Sequence, residues 1–209
     1  MTPLTWFALV GFGLTALSDH WAVATRSKPF EYLAKPLTMV WLGLFVLALD
    51  PLRADAVAWW VAAIVLSLAG DVFLMLPRDL FVFGLGSFLF AHLAYVGGFV
   101  SVGLESPVWL PLVVLVPVAG VLLATMMRGP GMKPALRLPV TAYVGVIVVM
   151  VTCAWASGSW VAGLGATSFM ASDALIGWRR FVQDQRWMAV AIIVLYHLGQ
   201  LGLALYLLI

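Results

Sequence analysis

Two aspartates stand in stretches that otherwise contain no charge: Asp71 in Leu66-Ser-Leu-Ala-Gly-Asp-Val-Phe-Leu-Met75, and Asp173 in Phe169-Met-Ala-Ser-Asp-Ala-Leu-Ile176. An ionisable side chain costs a few kcal/mol inside hydrocarbon, so each is a functional candidate by default. Two carboxyls that share an apolar site resist ionising together, which leaves one protonated and one ionised near neutral pH. That division is an acid/base pair. The competing reading is architectural, with each aspartate locking helices together through Lys35 or Tyr143. Further polar residues stand at helical spacing: His92 and Tyr95 are three apart, and Tyr196 and Gln200 are four apart, so each pair shares a face that must look inward because lipid cannot satisfy it. Lys35, Tyr143 and Ser172 join these as candidate binding residues, whereas Asp19, His20 and His197 acquire no assigned role.

The elements that must position these groups follow from composition. Of 209 residues 64% are hydrophobic and only 10% charged, and the mean hydropathy is +1.10. A chain of that kind has the bilayer for a solvent; it is neither a nucleic-acid binder nor disordered. A spanning helix needs about 20 mostly apolar residues. Eight such stretches are expected, at Leu4–Ala22, Lys35–Leu49, Ala56–Leu76, Leu80–Val102, Val108–Met127, Leu138–Ala156, Trp160–Trp178 and Trp187–Ile209. The fold class is therefore all-α and polytopic, one transmembrane domain over residues 1–209. Residues 1–17 lack a basic leader and read as a retained helix.

Sorted by alternating loops, ten of the 11 basic residues fall on one side (Arg26, Lys28, Lys35, Arg78, Arg128, Lys133, Arg137, Arg179, Arg180 and Arg186) and only Arg53 on the other. The positive-inside rule places the ten in the cytoplasm and both termini outside. Asp71 and Asp173 then lie at one depth, in the cytoplasmic half. Their spacing of 102 residues equals that of Lys35 and Arg137, which would fit two four-helix halves or a coincidence.

Other signals carry little weight. Trp59, Trp60, Trp109, Trp160, Trp178 and Trp187 fall near expected helix ends, as an interfacial belt requires. Gly84-x-Gly86 and Gly163-x-Gly165 suit helix packing better than phosphate binding, because no strand precedes them. Ser172 lacks the elbow motif of a serine nucleophile. The lone Cys153 permits no intrachain disulfide, and the three histidines show no metal-ligand spacing.

Taken in order, the motifs resemble the YhhN-like family of integral membrane proteins, whose animal members are lysoplasmalogenases. The resemblance rests on Lys35-Pro36-Leu37-Thr38-Met39, Gly70-Asp71-x-x-Leu74-Met75, Phe88-x-x-Ala91-His92-Leu93-x-Tyr95, Ser172-Asp173 and Tyr196-x-x-x-Gln200. It implies hydrolysis of the vinyl ether bond of a lysophospholipid, with Asp71 and Asp173 as the carboxyls and no metal or organic cofactor. It further implies that Lys35 meets the substrate phosphate. His92, Tyr95, Tyr143, Tyr196 and Gln200 would orient the substrate and the catalytic water. Membrane lipids are the expected surroundings and nucleic acid is not an expected partner. A proton-coupled carrier is the competing function, since intramembrane aspartates and histidines also build proton relays.

Overall fold

The computed structural model describes residues 2–209. Eight α-helices follow one another: α1 (Pro3–Thr25), α2 (Lys28–Leu47), α3 (Val57–Met75), α4 (Phe81–Val102), α5 (Trp109–Arg128), α6 (Pro134–Ala156), α7 (Trp160–Phe181) and α8 (Arg186–Leu205). Short 3-10 turns lie at Ala54–Ala56 and Tyr206–Leu208, and no strand occurs among the described residues.

The largest departure from the sequence expectation is at the start of α2. The helix begins at Lys28, seven residues before the expected Lys35, and the link from α1 is a two-residue turn. Arg26 takes a left-handed conformation (φ 58°) and gives its N–H to Ala22 and Val23. The Ser27 N–H also bonds Ala22 at 2.8 Å, which closes the end of α1. Pro29 then occupies the first turn of α2, where its missing N–H costs nothing. The later Pro36, expected to open the helix, sits inside it instead. The same substitution of prolines occurs in α6, which opens at Pro134 and encloses Pro139.

The outward surface is apolar. Leu4, Phe7, Leu14 and Leu17 of α1 and Val113, Val114, Val116 and Val121 of α5 are exposed, while Asp71, His92 and Gln200 are buried. That arrangement satisfies a hydrocarbon solvent, which rewards apolar exposure and offers no hydrogen bonds. The chain is an integral membrane protein. Seven of the helices have the length and apolarity to cross a bilayer. The remaining one, α7, has the length, but Gly163, Gly165, Thr167, Ser168, Ser172 and Asp173 dilute its apolar character.

Those small residues let α7 approach α8. A Cβ on Gly165 would lie 2.9 Å from the Gly202 carbonyl carbon, and one on Gly199 would lie 2.8 Å from the Phe169 nitrogen. Close backbone approach of this kind replaces hydrophobic driving force within a bilayer. Gly84 is likewise a packing position, against Leu74, whereas Gly86 meets nothing. The pairing of α7 with α8 is matched by an equally extensive pairing of α3 with α4, at the corresponding place in the other half of the chain. The correspondence is incomplete, because α4 packs broadly on α6 while α2 barely touches α8.

Trp60 is not part of an interfacial belt. It is fully buried, its indole Nε1 donates to the Leu203 carbonyl at 2.6 Å, and its ring packs on Tyr95, Phe99 and Tyr206. Trp59, Trp109, Trp160 and Trp187 are exposed as a belt requires.

The α7–α8 crossing yields the first prediction. Gly165→Leu forces the helices apart and lowers stability by about 1–3 kcal/mol, read as a fall in the thermal unfolding midpoint in detergent. Gly86→Ala, at a helical position with open space, does not lower that midpoint.

Candidate active site

Each aspartate is tethered by one carboxylate oxygen and leaves the other free. Asp71 sits one turn from the end of α3, and its Oδ2 accepts from the Tyr196 hydroxyl of α8 at 2.6 Å. Tyr196 in turn accepts from Gln200 Nε2 at 3.5 Å, and Gln200 Oε1 accepts from the Tyr95 hydroxyl of α4 at 2.6 Å. The donors all point one way, from Tyr95 through Gln200 and Tyr196 to Asp71. Gln200 and Tyr95 are fully buried, so the chain of bonds is the only means of satisfying their polar atoms.

Asp173 of α7 is held differently. Its Oδ2 accepts a short hydrogen bond from the Tyr143 hydroxyl of α6 and lies 3.4 Å from His92 Nε2 of α4. His92 Nε2 is also 3.3 Å from the Tyr143 hydroxyl. Tyr143 has a single proton, which goes to Asp173, so His92 Nε2 serves the cluster as an N–H donor. Among the described residues neither Asp71 Oδ1 nor Asp173 Oδ1 has a hydrogen-bond partner within the chain.

Both carboxyls border one cavity of about 490 Å³, lined also by Lys28, Glu31, Lys35, Ser172, Arg179, Arg180, Asp184 and Tyr196. A second space, an apolar groove among α4, α5, α6 and α7, is lined by Leu85, Leu122, Met126, Val144, Met170 and their neighbours. The two meet at Asp173, Phe88, Phe81, Leu74 and Ile176, which line both. A polar chamber and an apolar slot thus adjoin at one carboxyl group.

The residues expected from the sequence divide into three groups. Asp71, Asp173, Lys35, Ser172 and Tyr196 line the cavity, and Tyr143 lines the groove. Ser172 nevertheless spends its hydroxyl on the Ile192 carbonyl at 2.9 Å, pairing α7 with α8. His92, Tyr95 and Gln200 line neither space and stand behind the carboxyls. Glu31 was missed altogether: it is buried, with Oε2 at 2.8 Å from Lys28 Nζ and Oε1 at 3.8 Å from Lys35 Nζ. Its signal is the spacing Lys28-x-x-Glu31-x-x-x-Lys35, which forms one helix face only if α2 begins at Lys28.

Asp19 is fully buried with both oxygens unpaired, and its Oδ2 is 3.8 Å from His197 Nε2. His197 Nδ1 lies 3.1 Å from His20 Nε2. This forms a second polar cluster between α1 and α8.

The profile of the YhhN family matches residues 30–207 of the chain. A protein of Mycobacterium bovis named lysoplasmalogenase is 36% identical over 142 residues, which cover 64% of this chain and 54% of that protein. The chain thus spans about half the length of that relative. The human lysoplasmalogenase TMEM86B is 31% identical over 185 residues, covering 88% of this chain and 78% of the human protein. An uncharacterized membrane protein YhhN of Escherichia coli O157:H7 is 35% identical over 130 residues, 61% of this chain and 58% of that one. No solved structure matches the chain.

The buried relay behind Asp71 can be tested without reference to turnover. Gln200→Met strands the Tyr95 hydroxyl and lowers stability by about 1–3 kcal/mol. Tyr95→Phe in the same protein removes the stranded group and recovers part of the loss, so the double variant unfolds later than the sum of the single changes requires.

Proposed function

The chain belongs to the YhhN family, and we propose that it hydrolyses the vinyl ether bond of lysoplasmalogens, as the name of its mycobacterial and human relatives says of them. The observation that carries this reading is the position of Asp173, which borders both the polar cavity and the apolar groove, with Asp71 on the same cavity. A single-chain lipid laid with its tail in the groove and its head in the cavity brings its ether linkage to these carboxyls.

Vinyl ethers hydrolyse by protonation of the distal alkenyl carbon, which gives an oxocarbenium ion. Water adds to the carbon bonded to oxygen, and the hemiacetal collapses to a fatty aldehyde and the glycerol hydroxyl of the headgroup. We assign the proton donor to Asp71, which is the more buried of the two and is held by a single hydrogen bond on Oδ2, so that Oδ1 is left to carry the proton toward the lipid. Asp173, kept ionised by the donors Tyr143 and His92 on its Oδ2, stabilises the cation beside the groove that takes the tail and accepts a proton from the attacking water through its own free Oδ1. The same division of labour serves glycoside hydrolysis, whose transition state is also oxocarbenium-like. Each turnover moves one proton from water to Asp173 and one from Asp71 to carbon. Returning the proton from Asp173 to Asp71 resets the pair, with no net proton consumed.

In this scheme Tyr196 and Tyr143 fix the two carboxyls, while His92, Tyr95 and Gln200 act as positioning residues behind them. Lys35, which faces the cavity from α2, meets the substrate phosphate as a point charge. We place the cavity mouth on the cytoplasmic side and both termini outside, in a chain of eight spans and one transmembrane domain. The support is the ten basic residues that gather on that side once the helices alternate.

The test is aldehyde release from a lysoplasmalogen by the purified protein, beside an ester-linked lysolipid. Wild type releases aldehyde from the vinyl ether alone, and Asp71→Asn and Asp173→Asn each lose about 100-fold or more while remaining folded and monodisperse. A folded wild type that releases no aldehyde, but carries protons or lipid across reconstituted vesicles, overturns the hydrolase reading in favour of a carrier.

A further inference from the structure

The mouth of the cavity carries charges for which the chemistry above has no use. Arg180, in the last turn of α7, places Nη2 at 3.0 and 2.9 Å from the two carboxylate oxygens of Asp79, in the loop that joins α3 to α4. Its Cζ lies 4.1 Å over the ring of Phe81, the first residue of α4. Arg179 beside it holds Asp184 at 2.7 and 3.1 Å. The two pairs differ in reach. Arg179 and Asp184 are near neighbours in sequence and tie only the end of α7 to its own loop, whereas Arg180 and Asp79 are 101 residues apart and tie α7 to the α3–α4 loop.

Arg180 lines the cavity and Asp79 does not. The side chain of Asp79 is 64% exposed, against 10% for Glu31, so water and ions reach the carboxylate that Arg180 holds. An exposed ion pair holds its partners weakly. A guanidinium forks onto phosphate oxygens as well as onto carboxylate, and the stacked Phe81 ring keeps this one aimed. The hydrogen bonds and charge of Arg180 hold the Asp79 carboxyl below the usual carboxylate range. The pair therefore persists through neutral pH and is lost as the pH falls through that lowered value.

We propose that Arg180 is an exchange latch for the phosphate of a single-chain phospholipid: Asp79 holds it across the cavity mouth in the free protein, and the lipid phosphate displaces Asp79. The proposal rests on reading the cavity as a lysolipid site. Lys35, deeper on α2, and Arg180, at the rim on α7, then hold the phosphate from two helices. Phe81 lines both the cavity and the groove, so the ring that keeps Arg180 aimed also stands at the junction where the tail enters.

The latch fixes opposite signs for its two partners. Asp79 competes with the lipid, so its removal tightens binding, while removal of Arg180 weakens it. A merely structural ion pair would move both in the same direction, or neither. The experiment is binding of a saturated 1-O-alkyl lysophosphocholine, which has no vinyl ether to cleave, to the full chain in detergent. Tryptophan fluorescence reports the complex, and an alkylglycerol with the same tail and no phosphate is the control. Arg180→Gln raises Kd for the phospholipid about tenfold and Asp79→Asn lowers it about threefold. Arg180→Lys, which keeps the charge and loses the fork, falls between wild type and Arg180→Gln, and alkylglycerol binding is the same in all four proteins. Thermal unfolding confirms that each variant is folded at the assay temperature.

Asp79→Asn weakening the phospholipid together with Arg180→Gln would overturn the latch. Equal shifts for the phosphate-free alkylglycerol would do the same, as would inorganic phosphate binding at Arg180 as tightly as the lipid. Because the probe lipid is inert, a failed aldehyde assay removes the hydrolase reading without touching this comparison, and a failed comparison removes the latch alone.

Discussion

A carboxyl group inside an apolar bundle receives no hydrogen bond from lipid, so those it makes come from the protein or from a polar cavity. Asp71 and Asp173 each receive one from a tyrosine hydroxyl, Tyr196 and Tyr143, and the helices are arranged around those two bonds. The first ties α3 to α8 and extends through Gln200 and Tyr95 to α4; the second ties α7 to α6, with His92 adding α4. Five helices are thereby held in register by polar contacts that have no alternative partner in hydrocarbon. Both tyrosine bonds go to Oδ2, and both Oδ1 atoms are left without a partner in residues that border the cavity, which is why one set of interactions can serve architecture and chemistry together.

The surroundings of the two carboxyls explain how a single-chain lipid would be oriented. Only Asp173 touches the apolar groove, while both acids touch the polar cavity, whose rim is built from cation–carboxylate pairs. An amphiphile entering such a site gains from tail burial in one direction and phosphate contacts in the other, which fixes where its linkage lies. The loosest of the walls is α5. It packs on α6 and touches α7, and much of its surface is exposed valine and leucine.

Much of this was legible in the residues, for a simple reason: a polar group in an apolar run stands out. Asp71, Asp173, His92, Tyr95, Tyr143, Tyr196 and Gln200 were all picked out that way, and the structure brings them into two adjoining clusters. The start of α2 was not legible, because two prolines seven residues apart compete for the helix-opening position and only the closure of α1 at Arg26 favours Pro29. Glu31 was lost with it. The pairing of Arg180 with Asp79 joins residues 101 apart and leaves no mark in either local sequence. Ser172, which lines the cavity, and Trp60 carry polar hydrogens whose partners the sequence does not reveal. Their positions resembled a site residue and a belt residue, yet a backbone carbonyl on α8 takes up each polar hydrogen. Sequence spacing finds which face a side chain shares, and does not find which carbonyl is within reach across a helix interface.

The central claim is that a buried carboxyl delivers a proton to carbon. Its most direct test is hydrolysis of a lysoplasmalogen in D2O, with mass analysis of the aldehyde. Carbon protonation followed by capture of water requires one solvent deuterium on the carbon next to the aldehyde group. In H2(18)O, the aldehyde oxygen must likewise come from the solvent. An aldehyde that carries no deuterium at that carbon, formed by the intact protein, would contradict protonation by either aspartate.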